Sequence, residues 1–166
     1  RDSSTSRGLG DVYKRQIKFR FDMACAGRLG MELQPKQMNA EEKAFARKAI
    51  ESYKGYRDIV MEGDLYRIGT PYDDTGYYGV MYVSKDKKKA VLFTYCTLYQ
   101  SRTLVPKYRL YGLDAQTRYR IREQNVDKKR FWFDGGTFTG EYLNHAGINP
   151  NLNKIYDSAV FVLEAE

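Results

Sequence analysis

The sequence predicts a mainly β protein: an antiparallel β-sandwich preceded by one short βα unit. Three observations carry this. Beyond Gly63 the apolar residues alternate with a period of two, in roughly seven or eight short runs separated by turn clusters about every ten residues. The chain of 166 residues holds 15 tyrosines and 8 phenylalanines, an aromatic weight that favours sheet. Before Gly63 the spacing is helical instead, so the architecture changes near residues 60–64.

Residues 1–16, RDSSTSRGLGDVYKRQ, have no initiator methionine, no apolar periodicity and no hydrophobic stretch of the kind a signal peptide needs. They resemble translated sequencing-adapter sequence, with a flexible tail as the alternative, and take no part in the predicted fold. Over 17–26, Ile17, Phe21, Ala24 and Cys25 share a helical face, and Gly27 stands where a left-handed cap is common. Residues 29–33 read as a short strand that Pro35 keeps from continuing. Asn39 is an N-cap, and Glu42 three residues later completes a capping box. Phe45, Ala46, Ala49, Ile50, Tyr53, Tyr56 and Val60 then gather on one side, opposite Arg47, Lys48, Glu51, Lys54 and Asp58, which predicts an amphipathic helix through Val60. Gly55 weakens that helix late, and Gly63 lies beyond its end. Parallel strands are covered on both faces, which one βα unit cannot do alone. Its apolar face must therefore dock on the sandwich or stay exposed.

The strands follow in order. Residues 65–68 form a short one, and TPYDDTG over 70–76 is a turn cluster. Residues 77–83 and 90–98 make a hairpin around the lysine-rich run 85–89. Residues 105–110 and 118–122 are joined by the reversal GLDAQ. Residues 131–133 precede Asp134-Gly135-Gly136, a tight-turn signal, and 137–143 and 158–163 complete the set around the loop HAGINPNLNK.

The net charge of +7 invites a nucleic-acid reading, but residues 1–16 supply +2 of it and the rest is spread over the chain. The run 85–89 reads as a solvated turn. Arg118, Arg120 and Arg122 line one strand face, which fits a wet face better than a phosphate-tracking stripe. No apolar run approaches the ~18 residues of a membrane span, so the chain reads as soluble. Cys25 and Cys96 sit in apolar contexts, MACAG and FTYCTL, as small buried hydrophobes, and no metal-ligand spacing is present.

For catalysis the inventory is thin. His145 is the only histidine and lies in a loop-like segment, so no hydrolytic triad assembles. Glycoside hydrolysis needs two carboxylates, for which Asp22, Glu32, Asp64, Asp73 and Asp74 are candidates. Asp64, Asp73 and Asp74 suit turns and a strand entry. Glu32 would face an active site if its strand belonged to a barrel, or else pairs with a neighbour such as Arg28. Trp132, Tyr142 and the tyrosines of 77–82 could stack on sugar rings, although packing explains most of them.

The run GRLGMELQPKQM followed by NAEEKAFARKAIESYKGYRDIVMEGDLYR resembles the end of the catalytic barrel of bacterial α-galactosidases of glycoside hydrolase family 36, the melibiase-like enzymes. GLDAQTRYRIRE, FDGGTFTGEYL and YDSAVFVLEAE resemble that family's C-terminal β-domain, in the same order. The resemblance runs from residue 17 to residue 166. It implies that residues 17–62 are the C-terminal remnant of a (β/α)8 barrel and 63–166 an antiparallel β-sandwich. A complete TIM barrel takes about 250 residues, so the barrel here would be truncated to its last βα segment. In this family the nucleophile and the acid are two aspartates on earlier barrel strands, and no position in this chain corresponds to either. The resemblance thus implies a parent that hydrolyses terminal non-reducing α-D-galactosides with retention. For this chain it implies no catalytic residue, no metal ligand, no cofactor and no activity alone; its substrate-binding residues remain unknown. The implied partners are the N-terminal and barrel portions of the same polypeptide and an α-galactoside oligosaccharide, with neither nucleic acid nor membrane. Homo-oligomerisation of the parent, its compartment (cytoplasmic, periplasmic or secreted), the linkage cut and galactose against N-acetylgalactosamine stay open. The alternative is a free-standing carbohydrate-binding β-sandwich module.

Overall fold

The computed structural model describes residues 16–30, 35–72, 74–99 and 106–166. Residues 16–25 form a helix, α1, with Phe21, Asp22 and Cys25 buried. Gly27 follows it without a left-handed conformation, because the end of α1 is satisfied by tyrosine side chains instead. The Tyr95 hydroxyl donates to the Asp22 carbonyl at 3.1 Å, that of Tyr82 to the Ala26 carbonyl at 2.6 Å, and that of Tyr53 to the Gly27 carbonyl at 2.9 Å. Carbonyls at the end of a helix lack the next turn's amides, and these hydroxyls reach one in the last turn, at Asp22, and two just beyond it, at Ala26 and Gly27. Residues 29 and 30 are not in a strand; the remainder of the strand expected over 29–33 lies outside the described residues.

After a 3₁₀ turn at Pro35–Gln37, helix α2 spans Ala40–Glu62. Its start is the capping box read from the sequence: the Asn39 side chain accepts from the Glu42 amide at 2.9 Å and the Glu42 carboxylate accepts from the Asn39 amide at 2.7 Å. Gly63 caps its end in an extended conformation. Ala46 and Ala49 bury against Phe21 of α1, while Tyr53, Tyr56, Ile59 and Val60 bury against the sheet. The apolar face of α2 is therefore docked.

Six antiparallel strands follow: β1 (Asp64–Gly69), β2 (Tyr77–Val83), β3 (Lys89–Cys96), β4 (Arg118–Gln124), β5 (Thr137–Thr139) and β6 (Asp157–Ala165). They form one sheet in the order β1-β2-β3-β6-β4-β5. The domain is mainly β and antiparallel, as the sequence predicts. Its strands share a single hydrogen-bonded sheet, and the covering layers are helical on one face and loop-built on the other. Val91, Phe93, Tyr95 and Val160 face α2, whereas Leu92, Phe161, Leu163 and Ile121 face Tyr108, Leu110, Phe133, Leu143 and Leu152. Burial on both faces is why β3 reads as an almost continuous apolar run, while β4, at the uncovered side, alternates.

Three expected strands take other forms. Residues 106–110 contribute only the bridge Tyr108 to Ile148. Their alternating Tyr108 and Leu110 plug into the core beneath the sheet, which produces a strand-like pattern without a ladder. Residues 131–133 are a turn, with Phe131 and Phe133 both packed on Phe161 at 5.7 and 5.4 Å. The run 137–143 is strand only to Thr139 and then becomes helix α3, Gly140–His145. Thr139 caps α3 by accepting from the Tyr142 amide. The turn also brings Gly140 against residue 114, where a Cβ would lie 1.9 Å from the Asp114 carbonyl oxygen.

Neighbouring positions on α2 separate packing from propensity. Tyr56 is 2% exposed, so Tyr56→Ala is expected to cost about 3 kcal/mol or more in urea unfolding. Gly55 is exposed with open space around its Cβ position, so Gly55→Ala is expected to stabilise by up to ~1 kcal/mol.

Candidate functional site

The structure explains most of the sequence candidates as scaffold. Asp64 is exposed and pairs with Lys85 across the start of β1. Asp74 is exposed in its turn, and Asp73 and Glu32 lie outside the described residues. His145 ends α3 at the surface. Arg118, Arg120 and Arg122 are exposed, with Arg120 paired to Glu166 at 3.2 Å. Cys25 and Cys96 are buried free thiols, and burial pushes Cys25 up to about 11. Of the tyrosines in β2, Tyr77 donates to the Leu152 carbonyl at 3.0 Å and Tyr82 holds α1, so they tie loops and helix to the sheet.

Asp22 differs from the other carboxylates. It is fully buried and sits at the centre of a polar cluster: Lys18 pairs with it, the Ser158 hydroxyl donates to Oδ2 at 2.7 Å, and the Asn125 amide donates to Oδ1 at 3.0 Å. Beside it the Arg130 guanidinium bridges Glu123 and Asp157 and donates to the Ser158 carbonyl at 2.6 Å. The two assemblies meet at Ser158, so the start of β6 is pinned to α1 and to the 125–130 connection together. Burial raises the Glu123 carboxyl above its ordinary range even though Arg130 opposes the shift. Asn125, Arg130 and Ser158 carried no signal in the sequence. Asp22 was named only as a candidate carboxylate; its i,i+4 spacing from Lys18 on a helix with an apolar face is the signal that could have found the pair.

A cleft of about 380 Å3 opens beside this cluster, between Lys18, Arg130, Asn151, Tyr156 and Asp157. It presents a single carboxylate, Asp157, already held by Arg130 at 3.0 Å. A second cleft of about 160 Å3 lies on the sheet face away from α2, against Trp132, Phe138 and Tyr142, and holds no carboxylate. Trp132 is 73% and Tyr142 43% exposed. Here the structure brings together two aromatics singled out in the sequence, and adds Phe138, which alternation had placed in a longer strand. Among the described residues, no group of three His, Cys, Asp or Glu side chains is placed to hold a metal ion, and no helix is long and apolar enough to cross a membrane.

Hydrolysis of a glycosidic bond needs a carboxylate pair flanking it, and neither cleft presents one. The chain belongs to glycosyl hydrolase family 36: residues 77–163, more than half of it, match the "Glycosyl hydrolase family 36 C-terminal domain". It is similar to Alpha-galactosidase 2 of Hypocrea jecorina, 32% identical over 152 residues, and to Probable alpha-galactosidase G of Aspergillus terreus, 30% identical over 141. These alignments take in 90% and 84% of this chain but only 19% and 18% of the relatives. Among solved structures, the family 36 α-galactosidase AgaA of Geobacillus stearothermophilus superposes with a TM-score of 0.77 at 26% identity, over 89% of this chain and 19% of that one. The galactosidase domain of AgaSK gives 0.75 at 28%, again over 89% and 19%. The chain thus spans about a fifth of the length of the relatives it matches.

Two substitutions test the buried cluster. Asp22→Asn leaves Lys18, whose side chain is 13% exposed, without its counter-charge, and is expected to cost about 3 kcal/mol in urea unfolding at pH 7. Glu123 has a folded pKa above its ordinary 4.5, so its contribution to stability is complete below that pH and is lost as pH rises through the folded value. Glu123→Gln is expected to flatten the stability curve above about pH 4.5, measured by denaturant midpoints from pH 4 to 7.

Proposed function

We propose that this chain is the C-terminal part of an α-galactosidase, with residues 17–62 closing a catalytic (β/α)8 barrel and 63–166 forming the β-domain packed against it. The observation that carries the reading is the family match over 77–163 together with relatives named α-galactosidases, which align over 152 residues and so extend upstream into α2. The whole protein hydrolyses terminal non-reducing α-D-galactosides with retention. Such a reaction forms a covalent glycosyl-enzyme on one carboxylate while a second acts as acid and then as base, with the pair about 5 Å apart. That pair belongs to barrel strands upstream of residue 17. In this reading the role of the present residues is mechanical: α2 belongs to the barrel, and its burial of Tyr53, Tyr56, Ile59 and Val60 on the sheet supports its joining barrel to β-domain.

The second reading, a free-standing carbohydrate-binding module, is favoured by the exposed Trp132 and Tyr142. Both readings are tested by extending the reading frame upstream in the source DNA and assaying an aryl α-galactoside. The expected result is saturable turnover by the extended protein, lost when either barrel-strand aspartate is replaced, and none by the 166-residue chain. Saturable turnover by the 166-residue chain would contradict the first reading, and a start codon immediately upstream would favour the second.

A further inference from the structure

We infer that the corner formed by Trp132, Phe138 and Tyr142 is a surface binding site for a pyranose ring of a neutral oligosaccharide. The ligand class rests on the function proposed above; the site rests on geometry.

Phe138 and Tyr142 lie nearly parallel, 5.4 Å apart at 20°. Trp132 stands across Phe138 at 82° and 5.8 Å, and across the buried Phe133 at 87° and 5.8 Å. Two aromatic walls thus meet at a right angle, braced from below by a core residue 1% exposed. The cleft between them, about 160 Å3, has Lys107 and Asn149 at its rim. A single exposed apolar side chain needs no explanation. An indole left 73% in water, buttressed by further rings and flanked by a cationic and an amide side chain, is a different arrangement.

The chemistry matches a sugar ring. One face of a pyranose is a patch of C–H bonds with slight positive charge, which suits the negative face of an aromatic ring. Its edge is a belt of hydroxyls, which suits an ammonium and an amide at the rim. The rings also have few rotatable bonds to freeze on binding.

Position and charge bear on the other occupants. The cluster packs on the sheet face opposite α2. A second copy of this chain would bring together two chains that each carry a net charge of +7, with Lys128 and Lys129 exposed a few residues before Trp132 in the sequence. Like charge opposes that association. A neutral sugar meets no such cost.

Trp132 is the only tryptophan, so its emission reads the site directly. With the purified 166-residue chain, raffinose or maltotriose is expected to cause a saturable shift of emission to shorter wavelength. Tyr142→Ala is expected to weaken binding about tenfold without changing the melting temperature, as removal of one stacking ring should. Trp132→Ala should abolish the heat of binding in calorimetry. A non-saturating response to both sugars, or saturation unchanged in Tyr142→Ala, overturns the inference. So does an emission shift that follows protein concentration without sugar and accompanies dimers in sedimentation, which would assign the corner to self-association. Binding is read without turnover. Its failure therefore leaves the proposed hydrolase reading standing, and an upstream-extended protein without galactosidase activity leaves a positive binding result standing.

Discussion

The insertion of β6 between β3 and β4 is the constraint on which the remaining structure depends. The last strand in the chain pairs with β3 from Asp157 through Glu164 and with β4 from Val160 through Ala165. It thereby joins the β1-β2-β3 meander to the β4-β5 ladder, which share no other pairing. Its two faces feed both cores: Ala159, Phe161 and Leu163 on the loop side, Val160 on the helix side. Because β6 is central, the sheet closes only when β3, β4 and β6 have met, and the β3–β6 pairing joins residues far apart in sequence.

Buried tyrosine is the second device, and it accounts for a composition that the sequence alone left ambiguous. Tyr77, Tyr82, Tyr95, Tyr108 and Tyr119 each send a hydroxyl to a backbone carbonyl remote in the chain: those of Leu152, Ala26, Asp22, Tyr95 and Lys87. A carbonyl in a buried loop costs free energy unless it is paired. A tyrosine reaches such a group from a strand while its ring fills the core. The loop-built layer under the sheet and the uncapped end of α1 both rely on this. The same logic divides the aromatics by role, since Trp132 and Tyr142 stand at the surface whereas the tyrosines of β2 tie the scaffold.

How much of this was legible depended on how local each signal was. The capping box at Asn39 and Glu42, the helical face of α2 and the hairpin between β2 and β3 are fixed by neighbouring residues, and their patterns were readable. The loop layer was not. Tyr108, Leu110, Phe131 and Phe133 alternate as a strand would, but they are spaced to plug into a sheet that forms from distant segments. Gly140 looked like a strand residue because the close approach of the Asp114 carbonyl that requires it is invisible in sequence. At the candidate sites, Trp132 and Tyr142 were identifiable as residues but not as partners, and Phe138 completes their corner only once α3 replaces the expected strand. The Asp22 cluster draws on three separated segments, of which only the Lys18 spacing was local.

α2 and the sheet share one apolar cluster of Tyr53, Tyr56, Val60, Phe93 and Val160, which makes them a single cooperative unit. Native-state hydrogen exchange tests it directly, by comparing amides in the middle of α2 with those of Phe93 in β3 and Val160 and Phe161 in β6 as denaturant is added. The account predicts a common opening free energy with a common denaturant dependence, as expected of a single unit. Exchange of the α2 amides through a separate, lower-energy opening, with the sheet still protected, would contradict it.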